Sequence, residues 1–328
     1  MSMAMRTGIS THDLDARRPP VEARGPDASA EAAETAWYRA AMTDRQAWDL
    51  AFDPATGRRI RQDEVKPGHV LPSSRWPNFF SRVVAKLQWD AQAIDLERDA
   101  AAWPGLPEER RERLTKLLAG FRIADDAVSE HLEPFGPAAN NSLVAWVVFL
   151  QRRDEQRHAT FFDRVAAEVL KLPGDTKDER HAAARELAPA GILELFETRL
   201  PAMAAEMADG RADLSDGMAL YHMTLEGMVL SAGQRALLTE LEDGALPGVR
   251  EGVYHVELDE RWHIGFGLRC LIDDRPSPEF LDSILSEAED AAAAWGDALP
   301  TEIRDMIVPM ARRRMGVVAR ALDIRAAA

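Results

Sequence analysis

The sequence predicts an all-α protein with a four-helix bundle at its core and additional flanking helices. Three observations carry that expectation. Apolar residues recur at steps of three and four, as in Leu114, Leu117, Leu118, Phe121, Ala124 and Val128, whereas Val and Ile do not gather in short alternating runs. The pattern D-E-x-x-H occurs twice, as Asp154-Glu155-Gln156-Arg157-His158 and as Asp259-Glu260-Arg261-Trp262-His263. Each copy follows a helical segment with a lone acid, Asp125 or Glu226. The intervals are 30 residues from Asp125 to Glu155 and 34 from Glu226 to Glu260, a coarse repeat that suggests two antiparallel helix pairs.

Taken in order, residues 1–45 mix Ala, Arg, Asp and Pro without a sustained apolar period. They read as a disordered N-terminal extension with a short helix around 30–42. Residues 46–328 read as one helical domain, its metal core at about 107–272. The segment 46–105 clusters Trp48, Phe52, Trp76, Phe79, Phe80, Trp89 and Trp103 among turn signals, and is expected to pack across the outside or one end of the bundle. A helix with apolar residues from Leu114 to Val128 stops before Pro134, and a break at 137–141 precedes a long helix over 143–170. Pro173-Gly174-Asp175 ends that helix. A weaker pattern covers 178–187, and 191–207 is helical with Pro201 as an expected kink. A long helix over 213–241 has Glu226 near its middle. After a turn at 244–248, the helix at 250–272 holds the second D-E-x-x-H. Pro276-Ser277-Pro278 breaks the chain before closing helices at 278–295 and 300–324.

Composition narrows the function. A net charge of -15 repels phosphate backbones and anionic lipid, so nucleic acid and membrane surfaces are excluded as expected partners. A single cysteine, Cys270, rules out an internal disulfide or a thiolate-rich metal site and points to a reducing, cytoplasmic setting. No run of about 18 apolar residues exists, and the N-terminus lacks the apolar core of a secretory signal.

The two D-E-x-x-H copies carry the chemistry. On a helix, residues three apart share a face and can aim at one object. A lone Glu-x-x-His is ordinarily an exposed polar pair. Here both lie among apolar residues, Val147, Val148, Phe161 and Phe162 for one and Ile264, Phe266 and Leu268 for the other, where an unliganded charge is costly. Ferritin-like di-metal bundles place one carboxylate on each of two helices and Glu-x-x-His on each of the other two. The expected ligands of two metal ions are therefore Asp125, Glu155, His158, Glu226, Glu260 and His263, with Asp126 an adjacent alternative to Asp125. Carboxylates with imidazole suit iron and manganese. Asp154 and Asp259, each four residues before a histidine, are expected to accept an imidazole N–H behind the ligands. His222 stands four before Glu226, so an ideal helix would turn it toward the metals; a structural role is the competing reading. His12, His69, His131 and His255 read as structural or surface residues. The D-E-R-H at Asp178–His181 reads as a solvated face.

At these residues the sequence resembles the ribonucleotide reductase small-subunit superfamily, and within it the small-subunit-like ligand-binding oxidases. The likeness runs through Trp89-Asp90, Ile94-Asp95, Asp99, Trp103, Phe121 to Val128, Pro134-Phe135, both D-E-x-x-H copies, and Tyr221 with Leu225-Glu226-Gly227-Met228. The resemblance implies an Fe/Fe or Mn/Fe site that uses O2 as co-substrate to oxidise a bound apolar small molecule by hydrogen abstraction. It also implies an external electron donor and a homodimer. It makes Val128 and Tyr221 a crosslinking pair beside the metals, and places Ala159, Phe162, Val229 and Gln234 at the pocket. Gln234 stands where the oxidases have a second tyrosine, and Asp125 where they usually have Glu.

Three other readings compete. A ribonucleotide reductase small subunit would keep a radical tyrosine at Phe162 and a transfer tyrosine in its tail, yet no tyrosine follows Tyr254. An arylamine-type N-oxygenase would carry an extra histidine at Val256. A non-enzymatic metal-storage bundle fits poorly with the aromatic N-terminal segment.

Overall fold

The computed structural model describes residues 76–139 and 141–322. The expected extension at 1–45, the short helix at 30–42, and Trp48 and Phe52 lie outside the described residues. Helix α1 spans Trp76–Val84 and α2 spans Glu97–Ala102. Helix α3, Glu108–His131, begins after Pro107 with Glu108 and Glu109 in its first turn, where the positive end of the helix dipole favours acids. A single turn at Phe135–Ala138 leads to α4, Ser142–Arg164, which continues through a π turn at Val165–Val169. Asn141 starts α4 by accepting from the amides of Leu143 (2.9 Å) and Val144 (3.3 Å), groups the helix itself leaves unpaired.

Helix α5, Lys177–Arg185, opens on a reciprocal cap between Thr176 and Glu179. Helix α6 joins Ala190–Leu193, a π turn Glu194–Arg199 and Leu200–Ala208. The helix expected with a kink at Pro201 changes its turn at Glu194–Arg199, just before the proline. Pro201 sits in the first turn of the last piece, and the wider turn just before it accommodates the missing amide donor. Helix α7 is Leu214–Met218, a twelve-residue π stretch Ala219–Leu230, and Ser231–Glu240. Helix α8, Pro247–Asp274, ends where Arg275 turns left-handed (φ 59°) ahead of Pro276. The segment expected as one helix over 278–295 is two, α9 (Pro278–Ser286) and α10 (Ala288–Ala293). That over 300–324 is a turn at Thr301–Arg304 followed by α11, Ile307–Ala321.

Helix α3 lies along α4, and the π stretch of α7 lies along α8. Helix α8 also meets α4, and the end of α7 meets α3, which closes the four-helix core. Around it, α1 covers α4 and α8, α5 and α6 cover α3, and α9 to α11 pack on α7. Asp99 of α2 is fully buried and pins the start of α8, accepting from the amides of Gly248 (3.0 Å) and Val249 (2.7 Å). Trp295 is wedged between α3 and α7. A Cβ at Gly120 or Gly233 would come within 2.4 or 2.6 Å of its ring, and its Nε1 donates to the Val229 carbonyl at 2.8 Å.

On the outer face of α3, the buried Arg122 pairs with Asp126 (3.1 Å) and Asp163 (3.3 Å). His181 Nδ1 lies 3.0 Å from Asp126, and Arg180 lies 2.6 Å from Asp163. The D-E-R-H at 178–181 is therefore not simply solvated: Arg180 and His181 anchor α5 to α3.

Candidate metal centre

Each core helix delivers its acid to one buried spot. Donor atoms from Asp125 (α3), Glu155 and His158 (α4) and Glu260 (α8) all lie within 4.8 Å of one another. So do those from Glu155, Glu226 (α7), Glu260 and His263 (α8). Glu155 and Glu260 stand in both sets, so two ions placed there would share two carboxylates. The three-residue spacing works as the helix geometry requires: His158 Nδ1 is 3.1 Å from Glu155, and His263 Nδ1 is 3.5 Å from Glu260. Across the bundle, His263 Nδ1 is 3.0 Å from Glu155 and 2.9 Å from Glu226. Of the adjacent pair, Asp125 faces this cluster and Asp126 faces Arg122 and His181.

Four buried acids and two imidazoles leave an excess of negative charge. Burial pushes the Asp125 carboxyl up to about 6. Burial, with Glu226 and Glu155 beside it, holds Glu260 well above the usual carboxylate range, and burial also raises Glu226. Burial alone would lower both imidazoles, but the neighbouring carboxylates hold His158 and His263 well above their ordinary value. Protons thus take the place that cations would fill. Both oxygens of Asp125, both of Glu260 and Oε2 of Glu226 are buried without a hydrogen-bond donor. Buried acceptors are rarely left so, and a hard cation satisfies all of them. The residues present fit a pair of divalent ions.

Behind the ligands, the two aspartates are crossed. Asp259 accepts from Nε2 of His158, on the other helix, at 3.0 Å, and Asp154 stands 3.8 Å from Nε2 of His263. Asp259 therefore hydrogen-bonds the imidazole of the other helix, and Asp154 lies behind the other helix's imidazole beyond hydrogen-bond distance. Arg157 Nη2 bridges Asp154 (2.7 Å) and Asp259 (2.8 Å), and Trp89 Nε1 donates to Asp259 at 2.9 Å.

The π stretch decides which side chains of α7 enter the site. Its wider turn lets Tyr221, five residues before Glu226, donate to Glu155 Oε1 at 2.8 Å. His222, which an α-helix would have turned inward, belongs to neither donor set. Its Nε2 meets Gln151 Oε1 at 3.0 Å. Val128, Ala159, Phe162 and Val229 are buried, with Phe162 stacked on Phe121 at 5.1 Å between ring centroids. Gln234 is buried with its Nε2 unpartnered. Sequence reasoning did not assign site roles to Gln151, Arg157 or Trp89. Spacing could have flagged Gln151, which lies one turn before Glu155; nothing in the pattern pointed to Trp89 reaching Asp259.

No protein-family model matches the chain. Solved structures do resemble it. An R2-like ligand-binding oxidase from Sulfolobus acidocaldarius superposes with a TM-score of 0.62 at 19% identity, over 76% of this chain and 92% of that one. A variant R2-like ligand-binding oxidase with an anaerobically reconstituted Mn/Fe cofactor gives 0.58 at 20% identity over 76% and 94%. An aerobically reconstituted variant gives 0.61 at 17% over 76% and 93%. At these identities the likeness establishes the fold, and the fold is ferritin-like.

Proposed function

We propose that the chain is a dinuclear-metal, oxygen-activating oxidase or oxygenase that acts on a bound apolar small molecule by hydrogen abstraction. The observation that carries this reading is the pair of buried donor sets sharing Glu155 and Glu260, with carboxylate oxygens left without donors. The fold it shares with oxidases whose names include a Mn/Fe cofactor supports it. Asp125, Glu155, His158 and Glu260 would hold one ion, and Glu155, Glu226, Glu260 and His263 the other. Such a pair, Fe/Fe or Mn/Fe, supplies the reduction of dioxygen, drawing on an external electron donor. Asp259, accepting from Nε2, turns the Nδ1 of His158 inward, and Asp154 stands on the Nε2 side of His263. Val128, Ala159, Phe162 and Val229 give the surroundings an apolar character that keeps water out. In this reading Tyr221, whose hydroxyl donates to Glu155, is the phenol that would be linked covalently to Val128.

Phe162 bears on the rival reading of a radical-storing small subunit. It puts a ring that cannot form a phenoxyl radical where that role usually keeps a tyrosine, which favours spending the oxidising power on a bound molecule.

The test is anaerobic reconstitution of the metal-free protein with Fe(II), with and without Mn(II), followed by oxygen. Two tightly bound ions per chain and rapid oxygen uptake are expected; failure to bind metal stoichiometrically would overturn the reading. Digestion and peptide mass analysis should then yield a joined peptide pair through Val128 and Tyr221, lighter by a pair of hydrogens. Its absence, together with rapid oxidation of an added arylamine, would favour N-oxygenation.

A further inference from the structure

Gln151 of α4 and His222 of α7 are both fully buried, and neither belongs to a donor set. Their hydrogen bonds have only one consistent direction. Gln151 Nε2 lies 3.1 Å from Glu226 Oε1 and 3.2 Å from the Tyr221 hydroxyl, and Gln151 Oε1 lies 3.0 Å from His222 Nε2. Turning the amide over would set its oxygen against Glu226, acceptor against acceptor. The amide oxygen only accepts, so His222 must donate from Nε2. A neutral imidazole that carries its hydrogen on Nε2 leaves Nδ1 bare, and Nδ1 is indeed buried without a partner. Tyr221 receives a hydrogen bond from Gln151 and passes its own hydrogen to Glu155. The chain thus runs from His222 through Gln151 to Glu226, and through Tyr221 to Glu155.

We propose that His222 and Gln151 are positioning residues: His222 locks the Gln151 amide in one orientation, and that amide fixes Glu226 and the hydrogen-bond direction of Tyr221. Without the imidazole donor the amide is free to turn, and both groups lose their fixed partner. With all three side chains buried, no solvent stands ready to replace it. The pair touches Glu226 directly and the shared Glu155 only through Tyr221, so it serves the Glu226 side of the centre more than the Asp125 side. The metal arm of the test rests on the dinuclear reading; the tautomer arm does not.

In metal-free full-length protein, 15N NMR of the histidine rings should show His222 as the Nε2–H tautomer. An Nδ1–H tautomer or an imidazolium would overturn the proposal. Fe(II) affinity is then measured in two backgrounds that each leave one donor set complete at its lone acid, Asp125→Ala and Glu226→Ala. Adding His222→Phe should weaken binding by about 10- to 100-fold in the Asp125→Ala background and by much less in the Glu226→Ala background, where only the shared Glu155 feels the loss through Tyr221. Gln151→Leu should do the same, and His222→Gln, which keeps an N–H donor, should recover most of the affinity. Equal weakening in both backgrounds, or none in either, would refute the positioning role. An Nε2–H tautomer in a chain that binds no iron at all would sink the dinuclear reading and leave the hydrogen-bond direction standing.

Discussion

Asp125 and Asp126 are neighbours on one helix and live in opposite electrostatic worlds. Asp125 faces two other acids, Glu155 and Glu260, and burial pushes its carboxyl up to about 6. Asp126 is also desolvated, but His181, Arg122 and Lys177 overcome that penalty and hold it down at about 2. The outer face is an ion-pair network whose charges nearly cancel within the protein. The inner face is a cluster of acids whose excess negative charge is relieved by bound protons. A folded chain tolerates the second arrangement when something from outside completes it, and this contrast identifies the inner face as a binding site and the outer as a brace.

The contrast can be broken at either side. The largest effect is expected from Glu260→Gln, which removes a carboxylate common to both donor sets. Elemental analysis should show loss of both ions, while the melting temperature of the metal-free protein stays level or rises, because one acid fewer is crowded there. Arg122→Met should do the reverse. It strands Asp126 and Asp163 on the outer face and should cost about 3 kcal/mol in chemical denaturation, with two ions still bound. Asp126→Asn should cost less, about 1–2 kcal/mol, since its partners keep other contacts. The sign follows from its depressed carboxyl: the stabilisation is present above the ordinary value of 3.8 and is lost as pH falls toward 2. The gap between wild type and this variant should therefore close on acidification. Smallest is the pH effect on the inner face. Asp125 takes up a proton below about 6, so metal must displace it there, and affinity at the Asp125 position should fall about tenfold between pH 7 and pH 5 from this group alone. Titration calorimetry in buffers of differing ionisation heat would show the released protons; a flat response would mean that Asp125 is not a ligand.

Much of this was legible in the sequence because it follows the α-helical period. Four of the six donors were found by three-residue spacing on apolar segments and the lone acids Asp125 and Glu226 by the coarse repeat, and all six converge in space. What the sequence hid has two physical causes. The π stretch at Ala219–Leu230 changes the period locally, so counting by 3.6 residues turned His222 inward, whereas in the fold Tyr221 reaches Glu155 and His222 meets Gln151. Contacts between helices were also invisible. Spacing matched Asp154 and Asp259 to the histidines on their own helices, and only antiparallel packing crosses them. The choice between Asp125 and Asp126 was open for the same reason, since it depends on Arg122 and His181 arriving from the other side.

The crossed aspartates have a consequence for how the two ion positions differ. Since Asp259 of α8 accepts from His158 of α4 while Asp154 of α4 stands closest behind His263 of α8, sliding one helix past the other by a single turn, about 5.4 Å, would take the acceptor from His158 and the flanking carboxylate from His263 together. The two halves of the repeat are thereby interlocked, and a shift in their relative register cannot tune one ion without disturbing its twin. Any preference for unlike ions, one at each position, has to be written into the parts that are not shared: the short arm of Asp125 against the longer Glu226, and the hydrogen bond that only Glu226 receives from Gln151.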